Sequence, residues 1–133
     1  MRVEIPIYKL LSEASSIAAI VNDRIFPNFV PQGTSGDCIT YHSDNGTSYD
    51  TKTSFNDYGR KEVQISVFCT QYDVASALIE TIRLELERKS GSYGSAPAVV
   101  VDNIFYQGEQ DMGFLDDVEK FHKVIEFSVF INN

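Results

Sequence analysis

Residues 61–70 read Lys-Glu-Val-Gln-Ile-Ser-Val-Phe-Cys-Thr, and their side chains alternate between two sets. Because successive side chains of a strand point to opposite faces, this alternation predicts a strand that buries one face. A short apolar stretch at 38–43 lies just upstream, and we expect the two segments to pair as a hairpin. The set predicted to be buried is Val63, Ile65, Val67 and Cys69, and the opposite set is Glu62, Gln64, Ser66 and Phe68.

Two amphipathic helices are predicted on either side of this hairpin. The first begins at Pro6, which suits a first helical turn, and ends near Asn22-Asp23 after about four turns. The second has Asp73 as its N-cap and ends near Lys89, before Ser90-Gly91. In each helix the apolar residues recur on a single face, as expected for a helix packed on a core. These residues are Ile7, Leu10, Leu11, Ala14, Ile17, Ala18 and Val21 in the first helix, and Val74, Leu78, Ile79, Ile82 and Leu86 in the second.

The remaining chain predicts two further strands and two irregular segments. The strands cover 98–106, with a bulge expected at Asp102-Asn103, and 121–131. Residues 24–37 are expected to be irregular and packed over the core, and 107–119 to be a turn-rich acidic stretch. This order predicts an α+β fold with a mainly antiparallel sheet of about four strands and two helices packed on one face. We expect a single domain, 1–133, with a long mobile loop at about 44–60.

Length and charge exclude several classes of protein. The chain has 133 residues, of which 43% are hydrophobic and 23% charged, an ordinary balance for one globular domain. The net charge of −8 disfavours a plain nucleic-acid or membrane-surface binder, because both surfaces are anionic. No apolar run reaches the roughly 18 residues of a membrane span, and the N-terminal residues lack an export signal. We therefore expect a soluble, intracellular domain.

The side chains that usually carry chemistry do not form a recognisable catalytic or metal-binding motif. His42 and His122 fall on separate strands, and neither has a second ligand at close spacing. The hairpin brings Cys38 and Cys69 near one another, so a cross-strand disulfide is possible, but two small buried apolar side chains are the favoured interpretation. The acidic residues of 107–119 resemble a calcium loop only in charge, and a solvated acidic turn is the simpler interpretation. They are Glu109, Asp111, Asp116, Asp117 and Glu119.

Exposed apolar residues instead indicate assembly. On the second helix Leu84 lies away from the buried stripe, between Glu80 and Arg88. The polar segment 44–60 carries three aromatic residues, which commonly become ordered against a partner. We therefore predict that Leu84 and these three residues, Tyr49, Phe55 and Tyr58, contact another subunit or a partner protein.

Four stretches carry a resemblance to a known family. They are the opening helix leading into Asn22-Asp23-Arg24-Ile25-Phe26-Pro27; Val30-Pro31-Gln32-Gly33; residues 60–68 followed by a helix that begins Asp73-Val74-Ala75; and the closing Asp116-Asp117 with residues 121–129. Taken in order, over roughly residues 5–131, they resemble the tail-completion proteins of long-tailed bacteriophages, also called tail terminator or head–tail joining proteins.

The resemblance implies a structural protein of the virion, with no catalytic residue and no cofactor. Such proteins form rings, commonly of six subunits, that cap the finished tail tube and then present a surface to the filled head. The expected partners are further copies of the chain, the tail tube protein and a head-completion or connector protein. DNA would pass through the ring without specific binding, and no membrane is involved. Assembly would take place in the host bacterial cytoplasm.

One expectation about charge follows from this resemblance, and two alternatives remain open. An acidic channel wall would repel DNA and leave it free to slide, so we expect part of the set Glu109, Asp111, Asp116, Asp117 and Glu119 to face the channel. The first alternative is another neck component, such as a head-closure or connector protein. The second is a small-molecule-binding or enzymatic α+β domain, which the purely apolar predicted core faces disfavour.

Overall fold

The chain folds into three helices and one six-stranded sheet in a computed structural model that describes residues 2–48, 59–94 and 98–131. The sheet order is β1-β2-β3-β6-β5-β4. In chain order the elements are α1 (Glu4–Glu13), α2 (Ser15–Val21), β1 (Ile25–Pro27), β2 (Cys38–Ser48), β3 (Gly59–Cys69), α3 (Tyr72–Leu86), β4 (Gly91–Tyr93), β5 (Val99–Leu115) and β6 (Lys120–Ile131).

The predicted hairpin is confirmed and lies near the centre of the sheet. β2 and β3 pair antiparallel, and β3 pairs antiparallel with β6 on its other side. The α+β class is therefore confirmed, but the count of about four strands is wrong, because β1 and β4 add short edge strands. β1 runs parallel to β2, which makes the sheet mixed. β2 and β3 also extend into the predicted loop as far as Ser48 and from Gly59, and residues 49–58 lie outside the described residues.

The segment 24–37 was expected to be irregular, and this prediction is wrong for its first part, which contains a short strand. Ile25–Pro27 forms β1, which is held beside β2 by a hydrogen bond from the Ile39 amide to the Arg24 carbonyl at 3.0 Å. A proline can occupy such a strand because an edge strand needs no ladder bond from every amide. Ile25 is buried and anchors the strand in the core.

The first helix is divided into two, so the prediction of two helices is also wrong. The break lies at Ala14, whose ψ of 112° is extended and interrupts the helical backbone between Glu13 and Ser15. Serine favours caps over helix interiors, which makes the Ser15-Ser16 pair a natural new start. Leu11 and Ile17, on either side of the break, are both fully buried. Because the apolar spacing continues across the break, periodicity alone could not reveal it.

The acidic stretch 107–119 is largely strand, which corrects the expectation of turns. β5 continues to Leu115, and only residues 116–119 form the turn to β6. The pairing with β6 shifts register at three places, between Val101 and Asn103, between Tyr106 and Gly108, and between Asp111 and Gly113. The first shift matches the predicted bulge. Bulges let the glycines and acidic residues, which are typical of turns, remain within a paired strand.

One apolar core lies between the helices and the face of the sheet that carries Val63, Ile65 and Val67. The predicted buried stripe of α3 is confirmed at Leu78, Ile79, Ile82 and Leu86, whereas Val74 is only half-buried. None of the helices in the described part of the chain combines the length and apolar character needed to cross a membrane. The strand residues of this core are Ile25, Ile39, Val63, Ile65, Val67, Cys69, Val99, Val101, Ile104, Ile125, Phe127, Val129 and Ile131.

Cys38 and Cys69 are both free and buried, which confirms the favoured interpretation. Cys38 lies opposite Phe68 in the ladder, so the side chain of Cys69, one residue further along β3, points to the other face of the sheet. Burial raises the pKa of the Cys69 thiol to about 12 and also raises the pKa of Cys38. Both groups are therefore neutral thiols at ordinary pH.

Both cysteines are expected to resist thiol reagents in the folded subunit, because the reactive species is the thiolate. Labelling with a chromogenic disulfide reagent at pH 8 should proceed only as fast as the subunit unfolds, and two thiols should react at once in denaturant. Fast labelling of either cysteine under native conditions would show that it is accessible and would contradict this placement.

Candidate assembly surfaces

The four residues predicted to contact a partner divide into one that the structure describes and three that it does not. Leu84 lies on α3 with 72% of its surface exposed, away from the buried stripe. A leucine this open to solvent contributes nothing to the subunit core. Tyr49, Phe55 and Tyr58 lie outside the described residues.

Leu84 borders a groove of about 790 Å³ between α3 and the second half of β5. Glu80 and Glu87 line it from the helix, and Glu109 and Asp111 line it from the strand. Leu84 and two of the five predicted acidic residues thus belong to one surface. The sequence pattern did not join them, because the bulges of β5 decide which of its residues face the helix.

The two cations of this groove already have partners. The guanidinium of Arg83 lies 3.7 Å from the centre of the Tyr106 ring, and its Nε is 3.1 Å from Glu87 Oε2. Lys123 Nζ donates to Ser76 Oγ at 2.8 Å and lies 4.0 Å from Asp111 Oδ2. Four carboxylates against these two cations leave the groove net negative.

The carboxylate of Asp111 is held in its charged form. The Gly113 amide donates to Asp111 Oδ1 at 2.9 Å, and this bond is the main reason that the pKa of Asp111 is lowered. A backbone amide stabilises a carboxylate but not the neutral acid. Asp111 therefore contributes a negative charge to the groove at neutral pH.

The other three predicted acidic residues, Asp116, Asp117 and Glu119, occupy the turn between β5 and β6 and are exposed. The turn is anchored by the neighbouring Lys120, which is 8% exposed and donates from Nζ to the Gly36 carbonyl at 2.6 Å. The five acidic residues thus form two groups, one in the groove and one at this turn. No three His, Cys, Asp or Glu side chains come together as a metal site within the described ranges.

Beside the turn lies a second cleft, of about 560 Å³, with a mainly apolar wall. It is bounded by the segment 30–36, by Phe68, and by Leu115 and Val118 of the β5–β6 turn region. Val118 is 54% exposed. Exposed apolar surface next to a cleft is typical of a protein contact. Sequence reasoning missed this cleft, because the segment 30–36 and the turn are far apart along the chain.

The two histidines occupy unrelated positions. His42 is exposed, with Nδ1 2.9 Å from Asn28 Oδ1. His122 stacks on Phe68 with ring centres 4.5 Å apart, and burial lowers its pKa. The structure does not bring them together, so they form no acid–base pair.

Three comparisons with known proteins bear on identity. Residues 5–131 match the family described as tail completion protein gp17. A chain in the solved structure "Virion of native gene transfer agent (GTA) particle" superposes with a TM-score of 0.77 at 12% sequence identity, covering 96% of this chain and 92% of that one. At this identity the superposition shows a shared fold only. No curated protein matches the sequence.

The family match spans nearly the whole chain. The chain belongs to the tail completion protein gp17 family, and it is a structural component of the tail in a phage virion.

Proposed function

We propose that the protein forms a ring, of six subunits, at the head-proximal end of the tail. The ring ends the tail tube when it reaches full length and then joins the tail to the filled head. Its partners are further copies of the chain, the tail tube protein, and a head-completion or connector protein. The observation that carries this proposal is the family match over residues 5–131.

Two features of the structure support a protein that works through its surfaces. Large apolar side chains are exposed on the helix α3 and along the β5–β6 hairpin, and exposed apolar patches commonly mark protein contacts. They include Leu84, Met112, Phe114 and Val118, which are between 46% and 72% exposed. Contact between subunits would bury these residues and stabilise a ring.

The charge of the subunit suits a channel for DNA. Each copy carries a formal charge of −8, and the β5–β6 turn concentrates Asp116, Asp117 and Glu119 on exposed positions. A basic wall would bind phosphates through counterion release and hold the duplex tightly. An acidic wall repels the duplex and lets it slide, so at least part of the acidic set faces the channel in this proposal.

Replacing Asp116 and Asp117 by lysine tests the channel position. The Asp116→Lys/Asp117→Lys variant is expected to assemble normally but to slow DNA ejection, because lysines in the channel attract the backbone. The slowing should weaken as salt is raised, because counterion release drives the binding. A double asparagine variant controls for loss of the carboxylates alone. Ejection at the wild-type rate would place these residues outside the channel, and loss of assembly would place them at a subunit contact.

Size-exclusion chromatography with light scattering tests the ring itself. The proposal expects a discrete mass at about six times the 14.9 kDa of one chain, alone or in the presence of tail tubes. A strict monomer under both conditions, with a melting temperature that rises on adding a small molecule, would contradict the ring and favour a ligand-binding domain.

A further inference from the structure

We infer that Leu84 of one subunit enters a small apolar hole on the next copy, at the opposite edge of the sheet. This inference rests on the proposed ring and specifies how neighbouring subunits meet. The hole has a volume of about 200 Å³ and lies where β1 ends, beside α1 and β2. Its apolar lining residues are Val3, Ile7, Pro27, Tyr41 and Val63.

The size and lining of the hole suit one aliphatic side chain. An apolar cavity of roughly 150 Å³ accepts a benzene-sized group, so the volume of about 200 Å³ is enough for the end of a leucine side chain. Val3, Ile7 and Val63 belong to the subunit core, whereas Pro27 is exposed. Exposed polar residues also border the hole, and they are Glu4, Asn28 and His42. An apolar centre with a polar rim is the usual anatomy of a protein contact.

Leu84 and the hole lie at the same height along the strands. The guanidinium of Arg83, the residue before Leu84, lies 3.7 Å from the centre of the Tyr106 ring. Tyr106 pairs with Phe127 in the sheet, and Phe127 pairs with Val63, which lines the hole. A second copy placed alongside, without a shift along the strands, therefore brings its hole level with Leu84.

The two features also lie at different edges of the sheet. Leu84 borders the groove beside β5, which is followed in the sheet order by the short strand β4 alone among the described residues. The hole lies beside β1, the strand at the other end of that order. A contact between different edges is head to tail, so each subunit inserts one leucine and receives another. Contacts of this kind repeat from copy to copy and can close a ring.

Charge favours this contact over a two-fold contact through α3. The groove beside Leu84 is net negative, with four carboxylates against two cations. Next to the hole Glu4 is paired with Arg2 at 3.5 Å, and Lys61 lies on the same face of β3 as Val63. These charges are balanced or positive, so they complement the acidic groove. A two-fold axis through Leu84 would instead bring two acidic grooves together, which costs free energy.

The larger cleft, of about 560 Å³, matches Leu84 less well. It lies at the level of Phe68, five residues and about 17 Å along β3 from Val63. The turn beside it carries three exposed carboxylates, which would face the acidic groove of the other copy. They are Asp116, Asp117 and Glu119. Height and charge therefore both favour the smaller hole.

Cysteines placed beside the two features test the contact while Leu84 stays in place. Glu80 lies one turn before Leu84 on α3, Glu4 borders the hole, and both are exposed. The double variant Glu80→Cys/Glu4→Cys, treated with a short bismaleimide, is expected to give a ladder of covalent oligomers that ends at the ring. A mixture of the two single variants should give dimers and nothing larger. Wild type controls for Cys38 and Cys69, which are buried.

Two further variants make the test specific for Leu84 and for position. Adding Leu84→Ala to the double variant should slow cross-linking about tenfold, because it removes most of the side chain that fills the hole. The pair Asp73→Cys/Glu4→Cys moves one cysteine to another exposed position, about 10 Å further along α3, and should react far more slowly. Equal ladders from both cysteine pairs, or no effect of Leu84→Ala, would overturn the contact.

The outcomes separate this inference from the proposed function. A ring seen by light scattering with no ladder from Glu80→Cys/Glu4→Cys would overturn the contact and leave the ring standing. Efficient dimers of Glu80→Cys alone would show a two-fold contact through α3 and would also overturn it. A wild-type chain that never forms a ring, alone or on tail tubes, would overturn both.

Discussion

Leu84→Glu is expected to abolish ring assembly while leaving the subunit folded. The side chain is 72% exposed on α3 and borders a groove that already holds Glu80, Glu87, Glu109 and Asp111. In the isolated subunit the new carboxylate remains in water and costs little. At a subunit contact it would be buried without a partner, beside other carboxylates, at a cost of several kcal/mol. The measurement is the mass by light scattering together with the melting temperature.

A second substitution at the same position separates charge from lost apolar contact. Leu84→Ala removes most of the apolar surface without adding charge and should weaken the ring without eliminating it. Both variants should melt within a few degrees of the isolated wild-type subunit, because substitutions at exposed positions change stability little. A ring of normal mass and stability from Leu84→Glu would show that Leu84 faces solvent in the assembly.

Phe127→Ala is expected to lower the free energy of unfolding by about 3–5 kcal/mol, the usual cost of removing a buried aromatic ring. Phe127 is fully buried on β6, opposite Val63 of β3 and Tyr106 of β5, whose ring centre is 6.3 Å away. Its loss leaves a cavity in the core between the sheet and the helices. Urea unfolding of the monomeric subunit measures the effect.

The neighbouring position provides the control for this variant. Glu126 is exposed on the same strand, and Glu126→Ala should change the free energy of unfolding by less than about 0.5 kcal/mol. A loss below about 1 kcal/mol for Phe127→Ala would contradict the core described here, because it would mean that the site closes around the missing ring.

The central part of the fold was predictable because its residues alternate cleanly. The pattern at Val63, Ile65 and Val67 identified β3, and the apolar spacing from Leu78 to Leu86 identified the buried face of α3. In both cases the face that the sequence spacing predicts to be apolar is the face that packs on the core. The same helical spacing places Leu84 away from the buried face of α3, and its predicted exposure is confirmed.

The sequence pattern failed where pairing, and not local preference, determines the backbone. β1 exists because β2 supplies its hydrogen bonds, and no alternation can develop over Ile25–Pro27. β5 passes through Gly108 and Gly113, which on their own favour turns, because β6 pairs with it along nearly its whole length. The groove beside Leu84 depends on those bulges, so the acidic residues appeared in the sequence as one solvated turn and not as two surfaces.

We propose that this protein closes the head-proximal end of the tail and joins it to the head. Electron microscopy of particles produced without the gene tests it most directly. We expect DNA-filled heads and separate tails of irregular length, with normal particles restored when the wild-type protein is supplied. Particles with tails of uniform length attached to their heads would contradict it.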